Sequence, residues 1–274
     1  MNTVILSDSG AFSQIIQYPL GKRPGKPRES GWTMVIDKGL GYEQVSDLLE
    51  VASAYIDVLK FGFGTSCLYP RHILRQKLSL ARVFSVLSCP GGTLGEIALS
   101  QNVYDKYLDR CVKLGFTAIE VSDGTIDLRP DERLRAIASA KKAIPVVISE
   151  VGKKLDHTVD IRDYATQVTK DLEAGADFVV IEGRESGENA GIYGAEGQVD
   201  TSMLNDFVNL LSAEARAKII WEAPKKAQQV ELIRRFGPTV SLGNIPPTDV
   251  IALECLRLGL RADTFALRIR EDDR

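Results

Sequence analysis

The stretch VVISEVGKKL, residues 146–155, turns from a run of β-branched residues into a carboxylate and two lysines within a few positions. Val146, Val147 and Ile148 read as a buried strand, while Glu150, Lys153 and Lys154 belong to water or to a site. A surface turn would account for this once. The same figure recurs along the chain. Short apolar strands are predicted at 32–37 (WTMVID), 55–60 (YIDVLK), 82–88 (RVFSVLS), 117–122 (TAIEVS), 145–150 (PVVISE), 177–182 (DFVVIE), 218–223 (KIIWEA) and 239–244 (TVSLGN). Four consecutive strands reach a glutamate: Glu120, Glu150, Glu182 and Glu222.

Amphipathic segments separate the strands. YEQVSDLLEVASA (42–54) carries Val45, Leu48, Leu49 and Ala52 on one helical face; VYDKYLDRCVKLG (103–115) and RDYATQVTKDLEAG (162–175) both end on glycine. KKAQQVELIRRFG (225–237) reads as another amphipathic helix. Eight strands alternating with helices predict an α/β fold, a (β/α)8 TIM barrel in a single domain. A doubly wound open sheet is the alternative, but the first strand ends in VIDKG and no G-x-G-x-x-G follows it. Residues 1–28 read as a short N-terminal arm and linker, with GKRPGKPRES (21–30) rich in Gly, Pro and basic residues, and 29–274 as the barrel.

Composition narrows the function. The 274 residues hold 34 basic and 37 acidic side chains, a net charge of −3, which is no footprint for nucleic acid. No apolar run reaches membrane-spanning length, and MNTVILSDSGAFSQ is not a secretory signal. Cys67, Cys89, Cys111 and Cys255 are scattered without a C-x-x-C, as in a reduced cytoplasmic protein. With only His72 and His157 present, hydrolytic triads and His-rich metal sites have little to draw on.

In a barrel the C-terminal strand ends converge on one mouth, where active sites sit. Carboxylates gathered there repel one another unless cations intervene. Lys38, Lys60, Lys153, Lys154, Arg184, Lys225 or a metal ion would serve, and hard oxygen ligands favour Mg²⁺ over zinc. A ring of structural salt bridges is the bland reading of the same residues. The loops supply backbone donors at FGFGTS (61–66) and at Gly91 and Gly92 ahead of a helix; GRESGENAGIYG (183–194), with Arg184 and Ser186, has the make-up of an anion-binding lid. GNIPPTDV (243–250), with Asn244, lies where barrels often hold phosphate, though its two prolines lack N–H donors. Arg71, His72 and Arg75 read as surface helix residues, and Asp123 and Gly124 as a rim turn.

At these strand ends VIDKG, VLKFGFGTS, PGGTLGE, EVSDGTIDL, EVGKK, DLEAGADFVVIEGRESG, EAPKKAQQV and RLGLRADTF resemble the phosphosulfolactate synthase family, from about Lys26 to Ala266. The resemblance implies a Mg²⁺-dependent addition of sulfite to phosphoenolpyruvate, giving (2R)-2-O-phospho-3-sulfolactate, and a homo-oligomer, taken as a trimer. It assigns the proton donor to Lys154, with Lys153 next, and Glu150 and Glu182, then Asp37 and Glu120, to the metal. Lys38, Lys60, Arg184 and Ser186 would hold the substrate's anionic groups, with Gly91, Gly92 and Asn244 beside them. Two other readings stay open: a Schiff-base aldolase acting on a phosphosugar through Lys60, and a non-catalytic, stress-associated paralogue.

Overall fold

The computed structural model describes residues 10–12, 14–152 and 160–267. Its strands are β1 (Thr33–Asp37), β2 (Val58–Phe61), β3 (Leu87–Cys89), β4 (Ala118–Val121), β5 (Val146–Val151), β6 (Phe178–Ile181), β7 (Ile219–Glu222) and β8 (Ser241–Ile245). They form one parallel sheet in the order β3-β2-β1-β8-β7-β6-β5-β4. The two ends of that order meet: Ser88 N donates to Thr117 Oγ1 at 2.8 Å and Thr117 N to Ser88 O at 3.2 Å. The sheet is thus a nearly closed eight-stranded barrel, and the open doubly wound alternative is excluded.

Helices α1 (Tyr42–Ala52), α2 (Arg71–Val83), α3 (Gly92–Ser100), α4 (Tyr104–Leu114), α5 (Pro130–Ala143), α6 (Ile161–Glu173), α7 (Thr201–Leu210), α8 (Ala213–Ala217), α9 (Lys226–Phe236), α10 (Val250–Arg257) and α11 (Ala262–Phe265) surround it. Gly115 closes α4 in the left-handed region, as its sequence position predicts. Two strands start well inside their expected ranges. Residues 53–55 turn as a 3₁₀ helix, so β2 starts at Val58; α2 runs through Val83 and Ser85 takes a positive φ, so β3 starts at Leu87.

Strand side chains alternate between two faces. Val35, Leu59, Ile119, Val147, Val179 and Leu242 pack outward into the helix layer. Met34, Val58, Cys89, Ala118, Ile148, Val180 and Ile220 form a separate inner cluster, with Trp32 against it and the Trp32 and Phe178 rings 3.9 Å apart. Two residues further along the same inward face come Lys60, Glu120, Glu150, Glu182 and Glu222. The period that fills the barrel with apolar side chains therefore delivers its charges to the mouth.

The 21–30 segment is no free linker. Arg23, with 2% of its side chain exposed, pairs with Glu254 at 2.8 Å and donates to Thr33 Oγ1 and the Tyr55 carbonyl. Lys26 donates to the Ile56 and Ser53 carbonyls, and Arg28 pairs with Asp57 at 3.1 Å. These cations satisfy carbonyls at the N-terminal end of the barrel that have no ladder partner. Arg23→Ala is expected to cost about 3 kcal/mol, since it strands the buried Glu254. A urea midpoint equal to wild type would show that the segment contributes no stability through this pair.

Candidate active site

The mouth encloses a cavity of about 220 Å³, lined among others by Lys60, Glu120, Glu150, Glu182, Glu222, Arg184, Thr125 and Asn244. That is small beside drug-sized pockets of roughly 300–1,000 Å³ and suits a small metabolite. Lys60 lines the cavity from β2. Its Nζ lies 2.8 Å from Glu120 Oε2, 3.2 Å from Glu150 Oε2 and 3.2 Å from Glu222 Oε1. Burial alone would lower the Lys60 pKa, but Glu120, Glu150 and Glu222 outweigh it and hold the ammonium well above its ordinary value. A Schiff base needs a neutral amine. The three ion pairs make Lys60 a counter-charge to the carboxylates in this structure, which weighs against the aldolase reading.

The carboxylates are held by backbone N–H groups at the strand ends: Glu120 and Glu222 by the segment after the preceding strand, Glu182 by its own following loop. Glu120 Oε1 accepts from Gly92 N at 2.6 Å; Glu222 Oε2 accepts from Gly183 N at 3.0 Å; Glu182 Oε1 accepts from Arg184 N at 2.6 Å. Burial, reinforced by Glu150 and countered by Lys60, pushes the Glu120 carboxyl up to about 7. Glu150, Glu182 and Glu222 each offer an oxygen within 4.8 Å of the other two. Three carboxylates thus face the Lys60 ammonium, and two of them, Glu150 and Glu222, can close with Glu182 on one hard cation.

The predicted residues divide. Glu120, Glu150, Glu182, Lys60, Arg184, Gly91, Gly92 and Asn244 all line the cavity. Asn244 is buried at a φ of 53°, and its Oδ1 has no hydrogen-bond partner among the described residues. Asp37 does not join them. It follows the inward Ile36, so it points out of the barrel, where it pairs with Lys77 at 2.5 Å and accepts from Tyr69 Oη and from the N–H groups of Gly39 and Leu40. That corrects the metal set. Ser186 is exposed and off the cavity, its Oγ accepting from Glu188 N at 3.3 Å. Lys38 is half-exposed at the rim and ion-paired with Glu185, which does line the cavity. Gly92, expected as an anion donor, already spends its N–H on Glu120. Lys225 is turned towards Glu188 and the Glu196 carbonyl. Arg71, His72 and Arg75 are exposed on α2, as expected. Lys153, Lys154 and His157 lie outside the described residues.

Sequence reasoning passed over Glu222 as a ligand, although it shares the strand-end position of the other three. It also missed Arg133 of α5, whose Nη2 donates to the Glu150 carbonyl at 2.8 Å while the same guanidinium grips Asp171 and Asp123. Nothing in the local sequence marks that residue.

The model of the (2R)-phospho-3-sulfolactate synthase (ComA) family matches residues 21–263, nearly the whole chain. The chain belongs to this family. It is 44% identical over 246 residues to the phosphosulfolactate synthase of Methanothermobacter thermautotrophicus, covering 89% of this chain and 94% of that one. More distantly, it is 25% identical over 265 residues to Protein HEAT-STRESS-ASSOCIATED 32 of Arabidopsis thaliana, covering 86% of this chain and 88% of that one. A crystal structure of 3-hexulose-6-phosphate synthase superposes with a TM-score of 0.50 at 17% identity, covering 82% of this chain and 98% of that one, which shows the shared barrel alone. As a member of the phosphosulfolactate synthase family the chain is an enzyme of lyase type. No helix among the described residues is long and apolar enough to cross a membrane.

Proposed function

We propose that this enzyme adds sulfite to phosphoenolpyruvate in a Mg²⁺-dependent reaction that yields (2R)-2-O-phospho-3-sulfolactate. The observation that carries the reading is the buried cluster of Glu150, Glu182 and Glu222 around the Lys60 side of the cavity, inside a chain of this family. The oxygen donor set fits Mg²⁺, which would be held by those three carboxylates. When bound, the ion would stabilise the negative charge that builds on the substrate carboxylate as sulfite adds to the terminal methylene.

The chain's own groups do the rest. Arg184 lines the cavity and offers a fixed positive charge to an anionic substrate, and the Asn244 amide, at the end of β8, supplies a polar contact. Lys60 keeps the carboxylates from repelling one another before substrate arrives. C2 of the adduct must take up a proton on one face, and Lys154, flanked by Lys153, is the proposed donor, because a neighbouring cation lowers an amine's pKa towards neutrality. A homo-oligomer remains part of the proposal, to be read by light scattering.

The test is direct. Phosphorus NMR of the purified protein with phosphoenolpyruvate, sulfite and Mg²⁺ is expected to show a new phosphoester that fails to form without sulfite or with EDTA. A product formed equally well in EDTA would remove the metal from the mechanism. No product at all would leave the barrel mouth to another substrate or to the non-catalytic reading.

A further inference from the structure

Behind the cavity wall sits a carboxylate that the proposed chemistry does not use. Glu96 lies on α3, 1% exposed. Its Oε1 accepts from Ser122 Oγ at 2.5 Å and Gly124 N at 3.0 Å, and its Oε2 accepts from Thr125 N at 3.1 Å. The loop after β4 is therefore folded around this one side chain. Thr125 of that loop lines the cavity. Ser122 Oγ also lies 3.0 Å from Glu150 Oε1, on the proposed metal cluster.

Ser122 is fixed from its other side too. A Cβ on Gly92 would fall 2.4 Å from Ser122 Cβ, so the serine is seated against the start of α3 where only glycine leaves room. A hydroxyl has one hydrogen, and here two carboxylates face it. The one hydrogen is shared between Glu96 Oε1 at 2.5 Å and Glu150 Oε1 at 3.0 Å, and Glu96 is held besides by two backbone N–H donors. The arrangement Glu96–Ser122–Glu150 links a wholly buried anchor to a carboxylate in the cavity through a single rotatable O–H.

We infer that Ser122 and Glu96 are positioning residues for the metal site. Ser122 sets the rotamer of Glu150 by engaging Oε1, and Glu96 holds Ser122 and the Thr125 loop in the place where this works. The inference rests on the metal reading above. Carboxylates that bind a metal owe part of their affinity to such outer hydrogen bonds, and losing one costs about 10–100-fold.

The experiment is Mn²⁺ titration of the full chain, with free Mn²⁺ read by electron paramagnetic resonance and folding followed by circular dichroism and Tm. Wild type is expected to bind. S122A is expected to keep a wild-type circular dichroism spectrum and to weaken Mn²⁺ binding about tenfold or more. E96Q keeps Ser122 but loses the acceptor for Thr125 N, and is expected to weaken binding about threefold or more, with a lower Tm. Wild-type affinity in both variants would overturn the inference while leaving the metal reading intact. No binding by wild type would overturn the metal reading, and this inference with it.

Discussion

Lys60→Met is expected to destabilise the metal-free protein by about 5 kcal/mol at pH 8, the upper end for breaking a buried ion pair from one side. The size follows from geometry. One ammonium, 5% exposed, stands within 3.2 Å of three carboxylate oxygens on β4, β5 and β7, and methionine fills the volume without the charge. The loss should shrink as pH falls, because protons can replace the missing cation. Glu120 fixes the window. Its folded pKa of about 7 lies above the ordinary 4.5, raised first by burial and then by Glu150, with Lys60 pulling the other way. A raised carboxyl contributes stability that is fully present below the unfolded pKa and lost as pH rises through the folded one. Metal-free wild type should therefore already be less stable at pH 8 than at pH 5. Without Lys60 the Glu120 pKa moves further up and the difference widens. Urea midpoints of both proteins at pH 5 to 8, in EDTA and in Mg²⁺, measure this. A Lys60→Met midpoint that matches wild type at pH 8 in EDTA would show that the ammonium is not the counter-charge.

Much of this site was legible because a strand has a period of two. The four strand-end glutamates share a face with Ala118, Ile148, Val180 and Ile220, each two residues earlier. Reading them as one ring required only that the four strands enter the barrel with the same parity. Asp37 shows where that reasoning stops. In β1 the inward residues are Met34 and Ile36, so Asp37 faces α2 and Lys77. A parallel strand is apolar on both faces, so TMVID carries no mark of which parity points inward. The partner that decides the matter lies forty positions away on another helix.

The same limit explains the basic N-terminal segment. Arg23, Lys26 and Arg28 among prolines and glycines have the composition of a solvated linker. Their burial depends on carbonyls from residues 53–56 and on Glu254, far along the chain. Arg133 and Glu96 were silent for a related reason. Each is a charged residue on an amphipathic helix, the commonest place for a surface charge, and only the closed barrel turns it inward. Helices, strand count and the charged mouth follow from local pattern. The side chains that orient the mouth are set by contacts between elements.

Lys154→Ala is expected to slow sulfite addition by about 10²–10⁴-fold, the usual worth of a positioned general acid, while leaving the urea midpoint unchanged. The lysine lies outside the described residues, but the strand that leads to it is well placed. Gly152 follows β5 at a φ of 141°, and a Cβ there would lie 2.4 Å from Glu182 Cβ, so the chain leaves the barrel directly against the carboxylate cluster. Among the described residues Glu120 is a competing acid in the cavity. Glu120 is pushed up to about 7, which would let it hold a proton near neutrality. Its surroundings argue against that role: Oε1 takes the Gly92 N–H and Oε2 takes the Lys60 ammonium, so both oxygens already face donors. Glu120→Gln separates the two. If Lys154 is the acid, Glu120→Gln should lower stability or metal affinity yet keep a measurable rate at saturating Mg²⁺, and Lys154→Ala should not. If Lys154→Ala turns over normally while Glu120→Gln is inactive and folded, the proton comes from Glu120 and not from Lys154. Normal turnover by Lys154→Ala together with loss in Lys153→Ala would move the role by one residue. In each case a hydrogen bond to Glu120 and a proton on it make opposite demands on the same two oxygens, and the rate constants say which demand is met.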